Sequence, residues 1–362
     1  MFRSPMVVRA CAVVVFAFSV LGLGRVALGA ELAAGVRGLA TRAPRDMIID
    51  GNLAEFKEAF ATPVGYFDPD LENRAAQFLY MWDDTAFYAG LRTLDKKQAD
   101  PATDDRLWEG DAVEWYFDTR RNQDFRAMHW GPGAVHMYWT GYKGADIKPR
   151  WCLRPDMLQA IPGTGVEVAA RKTSDGAEIE FKLPWANFPD FKVETDAVIA
   201  LDAELCYSDG GPRVNRTFAY GSPLSVQQPA SQAKVQLVEK LKPEHWKQCG
   251  SVMMPLRCDT TWTQKTPALV TGFMALPPNQ AQQVGKIVFR ILDTDGRTLG
   301  DFEGRAETFG GEGTFQRSRA QWPTDLAMPG AHFLVGIAYD TQGQELARVA
   351  PRMVSVQNSQ GY

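Results

Sequence analysis

Residues that carry covalent or metal chemistry are scarce in this chain. Its 362 residues include four histidines and five cysteines. There is no G-x-S-x-G, no H-E-x-x-H and no G-x-x-x-x-G-K, so no motif marks a serine elbow, a zinc-protease helix or a phosphate loop. No C-x-x-C is present either, which removes the zinc ribbon and the c-type haem attachment site. Positive charge is also lacking. With 39 basic against 43 acidic residues, nothing resembles the basic stripe that a nucleic acid requires. Long apolar runs are missing too: Ala10 to Gly24 falls short of the about 20 residues that span a bilayer.

That one apolar run has a different meaning. Arg3 and Arg9 precede it, and the small residues around Ala27-Leu28-Gly29 follow it, the layout of a secretory signal. Residues 1–29 are therefore expected to be removed on export to a periplasmic or extracellular space, leaving no stable membrane insertion. Losing Arg3, Arg9 and Arg25 takes the 39 basic residues to 36 against 43 acids, a formal charge of −7. Four cysteines remain, Cys152, Cys206, Cys249 and Cys258. An even count in an exported chain permits disulfides, with Cys249–Cys258 the local choice and Cys152–Cys206 the long one; free buried thiols are the alternative.

What the chain does have is aromatic residues and alternation. Ten Trp and twenty Phe favour β architecture. Residues 30–45 are rich in small residues and arginine, without period, and are expected as a linker. Met47-Ile48-Ile49 reads as a strand running into the Asp50-Gly51 turn, and Leu53, Phe56 and Phe60 recur at helical spacing. Phe78, Tyr80 and Trp82 alternate up to Asp83-Asp84, and Phe87, Ala89 and Leu91 alternate on the return, a hairpin. Further strands are expected at 134–139, 163–170, 177–183, 198–207, 216–220 and 234–238. On the strand at 177–183, Glu178, Glu180 and Lys182 take one face and Ile179, Phe181 and Leu183 the other.

Many short strands with turn signals and no long helix predict an all-β chain, an antiparallel sandwich over 46–239. The segment from Lys240 to Cys249 is the expected boundary. A second set of alternating segments follows over 250–358 and predicts a smaller immunoglobulin- or fibronectin-like sandwich, with no visible chemistry and a protein-docking or spacer role. The Asp293-Thr294-Asp295-Gly296 and Asp340-Thr341-Gln342-Gly343 stretches read as hairpin turns rather than calcium loops.

Acids and flat aromatics concentrate in one stretch, Trp108-Glu109-Gly110-Asp111-Ala112-Val113-Glu114-Trp115-Tyr116-Phe117-Asp118. Ring faces that stack on C–H patches, beside carboxylates that accept from hydroxyls, are what a sugar requires. Glu109, Asp111 and Glu114 also fit E-x-D-x-x-E, which resembles the catalytic strand of family 16 glycoside hydrolases; Glu109 and Glu114 would then be the reacting pair. On a regular strand these two point to opposite faces, so that reading needs a bulge. Met128-His129 and His136-Met137 raise a third possibility, since some sandwiches of the DOMON type hold haem b between Met and His.

Taken in order, the segments from Ile49 to Val238 resemble a family 9 carbohydrate-binding module, a DOMON-like sandwich. The resemblance is carried by Ile49-Asp50-Gly51, by Trp82-Asp83-Asp84-Thr85-Ala86-Phe87-Tyr88, by Trp108 with Asp111-Ala112-Val113-Glu114 and Asp118, and by Glu178 to Trp185. Asp209 and the closing stretch Lys234 to Leu237 complete it. It implies a non-catalytic domain binding the end of a glycan in polysaccharide breakdown. Trp108 would stack on the sugar, Glu114 and Arg126 would hydrogen-bond its hydroxyls, and calcium would be structural. The family's second stacking tryptophan belongs in a loop that here runs from Ser222 to Ser231 and has no aromatic residue.

Overall fold

The structure is a computed structural model that describes residues 32–358, apart from 66–73, 96–106, 121–132, 140–149, 153–164, 209, 221–222, 227, 243, 246–248, 250–252, 258–260, 264–267, 276–283, 310–314, 323–328 and 349–350. The expected signal at 1–29 lies outside the described residues, as do Arg126, His129 and Cys258. No described helix is long and apolar enough to cross a membrane.

The first sandwich is built from β1 (Val36–Arg42), β2 (Phe60–Gly65), β3 (Arg74–Trp82), β4 (Ala86–Asp95), β5 (Ala112–Asp118), β6 (Ala134–Trp139), β7 (Arg150–Cys152), β8 (Glu167–Lys172), β9 (Gly176–Pro184), β10 (Val198–Ser208), β11 (Arg213–Phe218) and β12 (Ala233–Val238). The ladder runs β7-β6-β5-β10-β12-β1-β3-β4-β9-β8, with β11 added to β10 and β2 to β3. β1 lies parallel to β12 along its length but meets β3 only at Thr41↔Met81 and Arg42↔Trp82. There the ladder folds over, and its two halves face each other. Trp115 of β5 stacks on Phe181 of β9 at 5.2 Å, and Phe87 of β4 meets Phe117 of β5 at 5.1 Å. Offset and tilted pairs of this kind add about 0.5–1.5 kcal/mol beyond area burial.

The expected hairpin is β3–β4, in register from Arg74↔Asp95 to Trp82↔Phe87. Asp83 makes its turn: Oδ1 accepts from the Thr85 and Ala86 backbone N–H, and Trp185 Nε1 donates to the Asp83 carbonyl at 2.8 Å. β9 divides as its alternation predicts, with Ile179, Phe181 and Leu183 in the core. On its other face Glu178 accepts from Arg92 Nε and Nη2 at 2.9 and 2.8 Å and pairs with Arg171.

Two expectations near the start of the chain are overturned. Residues 36–42, read as part of a linker, are an interior strand, and 47–49 are not a strand. β1 shows no polar–apolar alternation because both of its faces are covered: Ala40 joins the first core, while Val36 and Leu39 join a second cluster. Its glycine is a packing requirement, since a Cβ on Gly38 would lie 2.0 Å from the Tyr220 hydroxyl oxygen. The helical spacing after Asn52 is realised as a three-ten turn, Leu53–Glu58, with Leu53 and Phe56 buried.

The second sandwich comprises β13 (Met253–Arg257), β14 (Thr261–Thr263), β15 (Ala268–Ala275), β16 (Val284–Leu292), β17 (Thr298–Glu303), β18 (Arg305–Phe309), β19 (Phe315–Trp322), β20 (Gly330–Asp340), β21 (Glu345–Arg348) and β22 (Arg352–Gln357). One sheet runs β13-β15-β19-β18; the other runs β14-β22-β20-β16-β17, with β21 on β20. The two Asp-led stretches are hairpin turns: Asp293 Oδ1 accepts from Asp295 and Arg297 N–H, and Asp340 Oδ1 from Gln342 and Gln344 N–H. Its core is continuous with the first sandwich. Val270, Ile287, Phe289, Leu334 and Val356 cluster with Val36, Leu39, Phe60 and Val238 of β1, β2 and β12. Residues 32–362 accordingly form one compact unit.

Cys206 is a free, buried thiol, which rules out the Cys152–Cys206 pair, while Cys258 of the Cys249–Cys258 alternative lies outside the described residues. Cys206 points instead into the polar cluster described next.

Candidate functional site

The acidic stretch divides into two elements. Trp108 and Glu109 lie on a three-ten turn, Leu107–Glu109, and both are partly exposed. Asp111 is fully buried and fastens the start of β5 to the end of β10, its Oδ1 accepting from the Ser208 N–H at 2.7 Å. From Ala112 the chain is regular strand. Val113, Trp115 and Phe117 fill the core, which sends Glu114 and Tyr116 to the opposite face. No bulge brings Glu109 onto that face: the β5–β10 register is unbroken from Ala112 to Asp118.

Glu114 meets a partner that sequence reasoning did not single out. Glu204 of β10 sits directly across the ladder from it. The Tyr116 hydroxyl lies 3.0 Å from Glu114 Oε2 and 2.7 Å from Glu204 Oε2. Cys206 Sγ lies 3.8 Å from Glu114 Oε1 and 3.5 Å from Glu204 Oε1. From β11, Arg216 Nε reaches Glu204 Oε1 at 2.8 Å, and Arg213 Nη1 stands 3.6 Å from the same oxygen and 3.4 Å from the thiol. The Arg216 guanidinium also lies over the Phe218 ring. The signal for this cluster was present in β10: Asp202, Glu204, Cys206 and Ser208 occupy every second position, alternating with Leu201, Ala203, Leu205 and Tyr207.

Both acids are almost completely buried, and their electrostatics follow from that. Burial, then the negative charge of Glu114, pushes the Glu204 carboxyl up to about 7, against the pull of Tyr116, Arg216 and Arg213. Burial and the two acids also raise the Tyr116 phenol and the Cys206 thiol well above their ordinary values. One phenolic hydrogen cannot serve two carboxylates at once. Protonating Glu204 resolves the conflict, because Glu204 then donates to the phenolic oxygen while Tyr116 donates to Glu114. Glu114, Glu204 and Cys206 lie close enough to bridge a cation, but Arg213 and Arg216 already supply positive charge there.

Residues 223–226 and 228–231 close this neighbourhood with two short three-ten turns, Pro223–Val226 and Pro229–Ser231. Ser225 Oγ donates to Asp202 Oδ2 at 2.6 Å, and Val226 packs beside Tyr116, Ala134 and Phe218. The loop thus presents a valine near Tyr116 and no aromatic ring. The DOMON-type histidine at 136 is placed only by register, across from Tyr116 in the β5–β6 ladder. The other two histidines are structural: His245 Nδ1 accepts from the Lys242 N–H at 3.2 Å, and His332 Nδ1 lies 3.2 Å from the Gly330 carbonyl.

Among curated proteins none matches the chain. Solved structures similar to it include a family 9 carbohydrate-binding module from Caldicellulosiruptor kristjanssonii in complex with cellotriose, 15% identical, covering 57% of this chain and 95% of that one at a TM-score of 0.45. The same module in complex with glucose gives 15%, 56%, 96% and 0.44. A putative carbohydrate-binding protein from Bacteroides uniformis is 9% identical, covering 56% of this chain and 99% of that one at a TM-score of 0.40. Residues 49–227 match the Carbohydrate family 9 binding domain-like family, and the first sandwich of this chain belongs to it.

Proposed function

We propose that the first sandwich is a non-catalytic glycan-binding domain of an exported protein serving polysaccharide breakdown. The observation that carries this reading is the placement of Glu114. It stands on the off-core face of β5, six residues after the partly exposed Trp108 and beside the arginines of β11, within the segment that matches the family. Trp108 would offer a ring face to the sugar, and Glu114 and Arg126 would bond its hydroxyls. With no aromatic in the loop at 222–231, stacking would come from one side only.

Hydrolysis by Glu109 and Glu114 fits less well. Retention needs two carboxylates about 5–5.5 Å apart with room for water. Glu109 lies on the turn ahead of the strand, and no bulge in the β5–β10 register brings it onto the face of Glu114. The second sandwich would serve as a spacer or a surface for a protein partner.

A glycan array followed by calorimetry on wild type and Trp108→Ala tests the site. Loss of a stacking contact of about 0.5–1.5 kcal/mol should weaken binding roughly 2- to 12-fold. Affinity unchanged by the substitution would remove Trp108 from the site. Glu109→Gln should leave affinity intact, whereas an enzyme would lose turnover.

A further inference from the structure

Glu114 is the acid expected to meet a sugar, but it is buried, so a ligand reaches it only if something moves. Its surroundings on that face have two sources. Arg213, Arg216 and Phe218 project from β11, which is laddered to β10 from Glu204↔Phe218 to Ser208↔Arg213. Val226 comes from the turn Pro223–Val226 and packs beside Tyr116, Ala134 and Phe218. The turn is held far more lightly than the strand. Among the described residues one side-chain bond joins it to the sheet: Ser225 Oγ donates to Asp202 Oδ2 at 2.6 Å, and Ser225 is buried. The second turn, Pro229–Ser231, leans on the same hydroxyl, with Ser231 Oγ 3.3 Å from Ser225 Oγ.

What flanks the turn is firm. Asp202 Oδ1 accepts from the Ala203 and Tyr220 N–H at 2.9 and 3.0 Å, so the acceptor stays in place whatever Ser225 does. Arg37 Nη1 donates to the Tyr220 carbonyl at 2.6 Å, and the Tyr220 hydroxyl lies 2.7 Å from Thr62 Oγ1. On the far side the chain enters β12 at Ala233. A lightly bonded turn between two fixed points belongs to the low-stability end of a structure and opens locally. We propose that the turn Pro223–Val226 is a movable wall of the candidate site and that the Ser225–Asp202 bond is its catch. Closed, Val226 shields Tyr116 and the two acids; released, the wall opens that cluster to the hydroxyls of a saccharide. This use rests on the glycan-binding reading, whereas the opening itself does not. A ligand that binds only the open form competes with the catch, so the catch lowers its apparent affinity.

Cys206 reports the opening without any glycan, because its thiol sits in the cluster, 3.5 Å from Glu204 Oε1. Cys249, buried in the second apolar cluster, serves as the control. The full chain is treated with N-ethylmaleimide under native conditions, and labelling at each cysteine is followed by peptide mass spectrometry. Ser225→Ala removes the catch at the cost of a single oxygen. Loss of one such bond should speed labelling of Cys206 roughly 10-fold and leave Cys249 at its wild-type rate. A glycan identified on the array should bind Ser225→Ala several-fold more tightly than wild type, the reverse of Trp108→Ala. Equal Cys206 rates in the two proteins would overturn the proposal. So would equal acceleration at Cys206 and Cys249, the mark of a general loosening, or weaker glycan binding by Ser225→Ala. If no glycan binds the wild type, the binding reading fails by itself, and selective acceleration at Cys206 still supports the moving wall.

Discussion

Glu204 couples the candidate site to pH through a single carboxyl. Its value in the fold is about 7 against an ordinary 4.5, so the folded chain holds this proton more tightly than the unfolded chain does. The associated stability is fully present below about pH 4.5 and is lost as pH rises towards 7. Glu204→Gln should flatten that part of a Tm-against-pH profile, and an unchanged slope would show that Glu114 and Glu204 do not compete for Tyr116. A sharper contrast lies on β9. Arg92 is 9% exposed at its side chain and Arg171 is 49% exposed, yet both pair with Glu178. Arg92→Ala breaks a buried pair and should cost about 3 kcal/mol in denaturant unfolding, while Arg171→Ala should cost about 1 kcal/mol or less. At this scale the sequence was half legible. Glu114 stood out because Trp108 and the other acids flank it. Glu204 did not, because its neighbours along β10 are apolar core residues and its polar partners come from β5 and β11.

Among the elements, β1 separates what periodicity reveals from what it conceals. β9 and β10 each have one face on the core and one carrying polar side chains, so their alternation was readable residue by residue, whereas the outer faces of β3 and β4 pack Leu79, Met81, Ala86 and Tyr88 onto Leu53 and Phe56. β1 is covered on both faces and contains Gly38 and small residues, so its pattern carries no period. β2 was missed for a related reason: Phe60 continues the helical spacing of Leu53 and Phe56 but turns into the second apolar cluster. Deleting residues 32–42 provides a direct check. A linker could be removed at no cost, whereas removing an interior strand should abolish cooperative unfolding by circular dichroism. The smaller change Gly38→Ala, which sets a methyl against the Tyr220 hydroxyl, should cost about 1–3 kcal/mol.

For the molecule as a whole, the boundary expected between 240 and 249 is a boundary of topology more than of stability. Val36, Leu39, Phe60 and Val238 belong to strands of the first sandwich but pack into the second cluster. Calorimetry should therefore show one unfolding transition across residues 32–362; two well-separated transitions would mean that the shared cluster adds little. The composition suggested two β modules in series, but it could not reveal the shared cluster, because apolar residues on an outer face look the same in sequence whether they meet water or another sheet.

The parallel pairing of β1 with β12 also bears on kinetics. Val36 lies opposite Lys234 in the ladder, so the first strand of the described chain finds its main neighbour almost 200 residues later. During synthesis that neighbour does not yet exist, and β1 must wait with both of its future faces uncovered. Closing so long a loop is slow and costs entropy before any contact is gained. The two sandwiches, joined through the same strand, share that delay.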